Sequence, residues 1–384
     1  MSFFEILFWF SLLSIFYAFL GYPLVLWAIG RLVSRPLARV ASDQWPSVSL
    51  LISAYNEETA LDTKIQNALE LDYPRDRLEI VVVSDASTDR TDEIAEMYAS
   101  QDVQLIRQGE RRGKTAALNL AVPMVSGEIV VFSDANSMYA PSALRDLVRP
   151  FQDPRIGFVT GQTIYRTQVG SGTAESTGFY SRLELITKKL ESRIGSCVGA
   201  DGAIFAIRKA LFVPLATDDI NDFVIPLRIV EAGYRGTLEP TAVCYEELAD
   251  SSVGEYRRQV RVTARTLRAL FRNLSLFNPV RFPLFSFMLL SHKLSKLVVP
   301  FFLLAALVSN SLLIRSSVIY LSAFITQLAF YALAFWRHTR VDRSSAGRLV
   351  DMSYTFSLVS FAMLIGWIKF LSGESFSTWS PQRK

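Results

Sequence analysis

The sequence predicts an α/β domain with a mainly parallel sheet, flanked by membrane-spanning helices. Three observations predict it. Half of the 384 residues are hydrophobic and only a fifth are charged, and the apolar excess sits at the two ends of the chain. Between residues 46 and 250, short unalternating runs of Val, Ile and Leu are separated by helical stretches, the pattern of strands covered on both faces. Those runs end close to Tyr55, Asp85 and Asp134, and open α/β sheets gather ligands at the carboxyl ends of their strands.

The first element, Phe3 to Gly30, is apolar except for Glu5 and longer than the roughly 20 residues a bilayer requires. No basic residue precedes it, whereas Arg31, Arg35 and Arg39 follow. These flanks argue against a cleaved leader and place the C-terminal flank in the cytoplasm. The domain then opens with a strand, Val48–Ile52, and a helix from Glu57 to Leu71. A second strand, Leu78–Val83, leads to a helix from about Asp89, for which Thr88 is the expected N-cap and the acidic first turn a match to the helix dipole. Val103–Ile106 reads as strand, Thr115–Val125 as helix and Glu128–Phe132 as a further strand. Residues 151–247 are less regular. A helix-like stretch from Phe223 to Gly233 follows Asp218, Asp219 and Asp222.

Arg257, Arg258, Arg261, Arg265 and Arg268 are interleaved with apolar residues between Glu255 and Phe271, which suits a basic amphipathic helix on a membrane surface; a solvated helix face is the alternative. Leu294–Leu313 and Ser317–Trp336 are the next spanning segments. Arg337, Arg340, Arg343 and Arg348 mark a cytoplasmic loop behind them. Tyr354–Leu371 either crosses fully or is re-entrant. The expected division is residues 1–45 for the first span and its linker, 46–250 for a cytoplasmic domain, 251–283 for interfacial helices and 284–384 for two to three further spans.

The charge balance, 40 basic against 36 acidic residues, leaves no basic stripe on the polar domain, so no nucleic-acid partner is expected. The basic residues cluster instead beside apolar segments, as expected next to membrane lipids. Cys197 and Cys244 lack metal-ligand spacing and suit buried packing in a reduced compartment. His292 and His338 both lie in or beside the apolar C-terminal region, which makes a histidine-based triad or zinc site improbable.

The polar residues at the strand ends carry the chemistry. Ser53-Ala-Tyr-Asn-Glu-Glu58 offers an aromatic face for a base and carboxylates for base or ribose; a capped helix start explains it equally well. Asp85-Ala-Ser-Thr-Asp89 adds an acceptor, with an ordinary strand-to-helix turn as its alternative. Arg111-Arg112-Gly113-Lys114 sets cations on a glycine turn before a helix, which suits a diphosphate but is not a P-loop. Asp134-Ala135-Asn136 presents oxygen ligands of the kind Mg²⁺ or Mn²⁺ takes. Three aspartates in five positions, Asp218 to Asp222, suit a general base as well as a helix cap.

Taken in order, Tyr-Asn-Glu-Glu, Asp-x-Ser-Thr-Asp, Gly-Lys-x-x-Ala-Leu-Asn, Ser-Asp-Ala-Asn, Gly-Ala-x-Gly and the late acidic cluster resemble glycosyltransferase family 2. The subgroup is the membrane synthases related to cellulose, hyaluronan and poly-N-acetylglucosamine synthases. The resemblance covers roughly residues 47 to 270 and implies a GT-A-type fold. It implies that Tyr55, Glu57 and Asp85 hold the nucleotide, with Lys114 near it. Asp134 would contact the nucleotide sugar and, with Asn136 in the position of a family carboxylate, a divalent cation. Asp201 and Gly202 would line the acceptor site, and Asp222 would be the base. Arg261 is what remains of the family's Gln-x-x-Arg-Trp signature, whose tryptophan position is Val262. That loss sets long-chain polymerisation in question.

The expected activity is inverting transfer of a hexosyl or N-acetylhexosaminyl unit from a nucleotide sugar, UDP-linked by family precedent. The expected acceptor is a glycan or lipid-linked sugar, in cell-surface or exopolysaccharide synthesis at a bacterial inner membrane, with export or assembly proteins as further partners. Two rivals stand beside it: transfer of a single sugar to a polyprenyl phosphate, and a non-catalytic membrane scaffold on a nucleotide-binding fold.

Overall fold

The computed structural model describes residues 1–36, 45–166, 172–247, 252–340 and 347–376. Arg39 and Arg343 lie outside them. The strands are β1 (Val48–Ala54), β2 (Leu78–Ser84), β3 (Val103–Arg107), β4 (Ile129–Asp134), β5 (Met138–Tyr139), β6 (Ile156–Arg166), β7 (Ile204–Arg208) and β8 (Arg235–Glu247). They form one eight-stranded sheet in the order β3-β2-β1-β4-β7-β6-β8-β5. The first four are parallel, as their crossover helices require. β7 runs antiparallel to both β4 and β6, β8 is parallel to β6, and β5 is antiparallel to β8. Because β7 is reversed, the segment entering it lies at the same sheet edge as the segments leaving β1, β2, β4 and β8. That edge collects the polar motifs.

β1 is buried at every position, and alternate residues feed two apolar clusters on opposite faces of the sheet. Leu51, Val81, Val83 and Phe132 point to one side, and Leu50, Ile52, Ile80 and Val131 to the other. Cys197 and Cys244 are free and buried within these cores. Two helix starts differ from the sequence expectation. The first helix is Leu61–Leu69, because the Glu57 carbonyl accepts from Ala60 and Leu61 and closes a turn before it. The next is Thr91–Met97, and Thr88 does not cap it. The Thr88 N–H donates to Asn56 Oδ1 across the gap between two loops, and the Asp89 carboxylate takes the Thr91 N–H instead. Residues 151–247, irregular in sequence, hold β6 to β8 and the helices Gly172–Ile194 and Asn221–Glu231.

Among the described residues four helices are long and apolar enough to cross a membrane: Phe3–Leu32, Pro283–Leu313, Val318–Thr339 and Arg348–Leu371. The near halves of the first two merge with the domain, since Tyr22, Leu26, Met288, Leu289 and Leu297 share a core with domain residues. Their far halves meet in a separate cluster of Phe8, Ala306 and Leu313, which Tyr320 of the third helix joins. Each carries a π-helical turn at the same level, Tyr17–Gly21 and Leu290–Leu294, and Tyr17 donates across to Ser291 Oγ at 2.8 Å. The second helix leaves the domain and the third returns. The fourth begins beside the returning end, where Arg337 pairs with Asp351 at 2.9 Å. It finishes back at the domain, with Arg268 donating to the Glu374 carbonyl at 2.8 Å. Between these ties it packs along the basic helix Ser252–Arg272. Phe370 stacks on Phe271, and Gly366 lets Thr263 approach so closely that a Cβ would stand 2.6 Å from it. This last helix is thus tied at its start to the third helix and at its end to the basic helix.

Candidate active site

The loops after β1 and β2 are zipped together. The Asn56 N–H donates to Ser87 Oγ, its side chain bonds Thr88, the Glu58 N–H donates to Asp89 Oδ2, and the Glu57 N–H donates to Thr91 Oγ1. Asn56 (φ 51°) and Ala86 (φ 55°) adopt left-handed conformations in these two turns, which for alanine costs on the order of 1 kcal/mol. The zipper holds that strain in place. Glu57 is buried at the start of the first turn, and Tyr55 carries the Arg111 guanidinium 3.9 Å above its ring centroid, a cation–π contact.

Asp85 is buried, and its partners are protein groups. It accepts from Gln108 Nε2 at 2.6 Å, from the Arg112 N–H at 2.9 Å and from the Gly113 N–H at 2.9 Å. Asp85 therefore fixes the basic turn that precedes the helix Lys114–Met124. Gly113 has φ 92°, the conformation only glycine takes readily. Lys114, the first residue of that helix, reaches across to ion-pair with Asp134 at the end of β4. Ser53, Ala54, Tyr55, Val83, Asp85, Lys114 and Ala117 line one small cleft.

The remaining motifs meet at the reversed strand. Asp201 and Gly202 precede β7, and the Asp222 carboxyl rests against Gly202: a Cβ there would stand 2.8 Å from Asp222 Oδ2. The Ala200 N–H donates to the Asp222 carbonyl at 2.8 Å. Burial pushes the Asp222 carboxyl above the usual carboxylate range. The Asp201 charge adds to that push, and Lys114, Lys293 and Lys188 oppose it. Asp201 itself accepts from Thr163 Oγ1 at 2.9 Å. Lys114 is thus the hub. Its backbone neighbour binds Asp85, its ammonium pairs with Asp134, and its charge acts on Asp222. The three aspartates, 137 positions apart at the extremes, are gathered around Lys114 and the turn before it.

Of the late cluster, only Asp222 is available to the cleft. Asp218 pairs with Arg268 and Arg272, and Asp219 with Arg228 and Arg272. The basic helix therefore turns much of its charge toward the domain. Arg261 is half-buried on it, its guanidinium lowered by burial and by Arg258. Arg265, one turn on, is a residue that the sequence motifs did not single out. It donates to the Asp218 and Asp219 carbonyls and to Thr115 Oγ1, stitching the approach to Asp222 onto the Lys114 helix. Burial and then Arg261 push it down to about 10.

Two further residues lacked a sequence signal. Lys64 is fully buried over the Tyr139 ring at 4.0 Å, donates to the Ser137 carbonyl and is pushed down to about 7 by burial. Glu246, near the end of β8, accepts from Ser137 Oγ and is pushed up to about 7 by burial and then by Asp134.

Among the described residues no three His, Cys, Asp or Glu side chains converge to hold a metal ion by themselves. The donors at the cleft are nonetheless all oxygens, Asp134 and half-buried Asn136. The mutual repulsion of Asp134 and Glu246 is what a divalent cation would relieve. Such ions commonly take one or two carboxylates and fill the remaining shell with phosphate oxygens and water, and the residues fit that pattern.

Residues 49–212 match the model of glycosyl transferase family 2. The poly-beta-1,6-N-acetyl-D-glucosamine synthase of Staphylococcus aureus is 27% identical over 253 residues, 64% of this chain and 61% of that protein. The Staphylococcus epidermidis protein of the same name is 25% identical over 268 residues, 65% of each. The chain thus spans less than two thirds of the length of the curated relatives it matches. A mannosyltransferase from Pyrobaculum calidifontis, solved in complex with GDP-Man and Mn²⁺, shares the fold with a TM-score of 0.72 at 24% identity, over 96% of this chain and 100% of that one. Residues 49–212 thus carry the similarity to glycosyl transferase family 2, and the chain is similar to the poly-beta-1,6-N-acetyl-D-glucosamine synthases.

Proposed function

We propose that this protein transfers a sugar from a nucleotide sugar, UDP-linked by the precedent of its synthase relatives, to a glycan or lipid-linked acceptor at the inner face of a bacterial plasma membrane. The observation that carries the reading is the convergence of Asp85, Asp134 and Asp222 around Lys114. In this reading Tyr55 and Glu57 border the nucleotide, and Asp85 positions the basic turn over the diphosphate. Lys114 and the amino end of its helix offset the negative charge of the diphosphate. Asp134 and Asn136 would hold a divalent cation, which when bound takes up charge developing on the leaving diphosphate.

The acceptor hydroxyl attacks the anomeric carbon from the side of Asp201, Gly202 and Asp222. The bond from that carbon to the diphosphate oxygen breaks, the diphosphate leaves with the electron pair, and Asp222 takes the hydroxyl proton. Arg261 and Arg265 add positive charge behind this base. The orientation rests on Arg31 and Arg35 after the first span and on Arg337 and Arg340 after the third. Val262 in place of the family tryptophan favours short products, and a single-sugar transfer to a lipid phosphate is the second reading.

Asp222→Asn is expected to lower transfer by ~10²–10⁴-fold, the usual worth of a general base, while nucleotide binding persists. A general base works only when deprotonated. The wild-type rate should therefore fall with decreasing pH through a pKa above the ordinary carboxylate range. Steady-state assays with radiolabelled nucleotide sugars read both, and turnover retained in the variant removes Asp222 from the role.

A further inference from the structure

The acceptor side of the cleft holds a cation that comes from the membrane part of the chain. Leu290–Leu294 is the π-helical turn of the second apolar helix. Within it His292 is fixed by Glu191 at 2.7 Å and by Glu184 at 3.0 Å, and Lys296, just past it, by Glu184 at 2.9 Å. Lys293 points elsewhere. Its Cε lies 3.8 Å from where a Cβ on Gly199 would be, and its ammonium is 5.6 Å from the centroid of the Phe223 ring. Gly199 opens the acceptor motif and Phe223 follows Asp222, so Lys293 stands over the base from the bilayer side.

Lys188, on the domain helix Gly172–Ile194, lies close enough for its charge to act on both Lys293 and Asp222. Burial works against the Lys188 charge, but Asp201, Glu184 and Asp222 outweigh it and hold the ammonium above the usual lysine range. Among the described residues neither Lys188 nor Lys293 has a carboxylate within 4 Å, whereas their neighbour Lys296 does. Two half-buried ammonium groups without contact counter-ions suit an anion. A neutral glycan would be served by an aromatic platform, and the family's tryptophan position holds Val262. Lys293 lies on the near half of the second apolar helix, which packs with the domain core before the far half leaves it, and such a junction is where basic residues meet lipid headgroups.

Resting on the transferase reading above, we propose that Lys188 and Lys293 form a subsite for the phosphate of a lipid-linked acceptor. Its sugar hydroxyl meets Asp222 and its chain continues into the bilayer beside the second helix. The chemistry recognised is a phosphate on an isoprenoid or similar apolar tail.

The test uses the full chain in detergent and radiolabelled farnesyl phosphate as the probe, with farnesol and inorganic phosphate as competitors. Binding should survive excess farnesol and yield only weakly to inorganic phosphate, because head and tail are both read. Lys293→Gln and Lys188→Gln should each weaken binding by about tenfold or more, as loss of a charged hydrogen bond does. Lys293→Arg should retain most of it, and the dissociation constant for nucleoside diphosphate should not move in any variant. Full competition by farnesol, or glutamine variants that bind the probe as the parent does, would overturn the subsite. Competition by inorganic phosphate as strong as the probe's own binding would overturn the lipid source. Lysine-dependent binding without transfer from any nucleotide sugar would leave the subsite standing and remove the transferase reading instead.

Discussion

Two charged junctions join the catalytic domain to the rest of the chain, and they differ in kind. At the first, Tyr22, His292 and Lys296 meet Glu184 and Glu191. Tyr22, His292 and Glu191 are all buried to 1% exposure or less, and the Glu191 carboxylate accepts from the Tyr22 hydroxyl at 2.7 Å while also binding His292. At the second, Asp218 and Asp219 meet Arg228, Arg268 and Arg272, and Arg272 remains 45% exposed. Asp218 and Asp219 are themselves buried, but Arg272 is their exposed partner, and without it Asp218 keeps Arg268 and Asp219 keeps Arg228. Exposed pairs are screened and contribute about 0–1 kcal/mol. Removing one member of a buried set strands a charge and costs about 3–5 kcal/mol. The first junction therefore fixes how the domain sits on its helices, and the second trims the approach to Asp222. Asp222, the proposed base, is near both: Lys293 of the second apolar helix and Arg265 of the basic helix each feel its charge.

That contrast can be broken or sharpened by substitution. The largest effect is expected at the base, where Asp222→Asn removes most transfer without loosening either junction. Gly202→Ala comes next: its methyl group would press on the Asp222 carboxylate, and a displacement of about 1 Å is enough for a 10²-fold loss in kcat, read against unchanged nucleotide affinity. His292→Ala should lower the unfolding free energy by about 3–5 kcal/mol, measured as a fall in thermal midpoint in detergent. Arg272→Gln should cost no more than about 1 kcal/mol and lose even that at high salt. Equal destabilisation by the last two variants would erase the distinction between the junctions.

Much of this was legible in the sequence, for identifiable reasons. β1, β2 and β4 could be read because parallel strands buried on both faces are continuous in Val, Ile and Leu, and their carboxyl ends mark the cleft. The convergence of Asp85, Asp134 and Asp222 followed from that rule together with the order of motifs. The later strands were hidden because their partners are distant and partly antiparallel. Lys64 could not be read, since a lysine on an amphipathic helix is ordinarily solvated, and only the position of Ser137 and Tyr139 explains its burial. The same holds for Asp218 and Asp219. Three aspartates in five positions look alike in sequence, and of the arginines that occupy two of them Arg268 and Arg272 come from a helix more than 40 residues further on.

The paired π-turns at Tyr17–Gly21 and Leu290–Leu294 carry a design consequence. Each inserts about one residue into a 3.6-residue repeat, a phase change of roughly 100°. Below it, side chains are dealt out for polar company, and above it for hydrocarbon. Two adjoining rods that change phase at one level behave like a coupling between interchangeable parts. The outer segments could be exchanged for others of similar length and greasiness while Lys293 kept its aim. Deleting one residue from either turn would swing everything on one side of it to the wrong face.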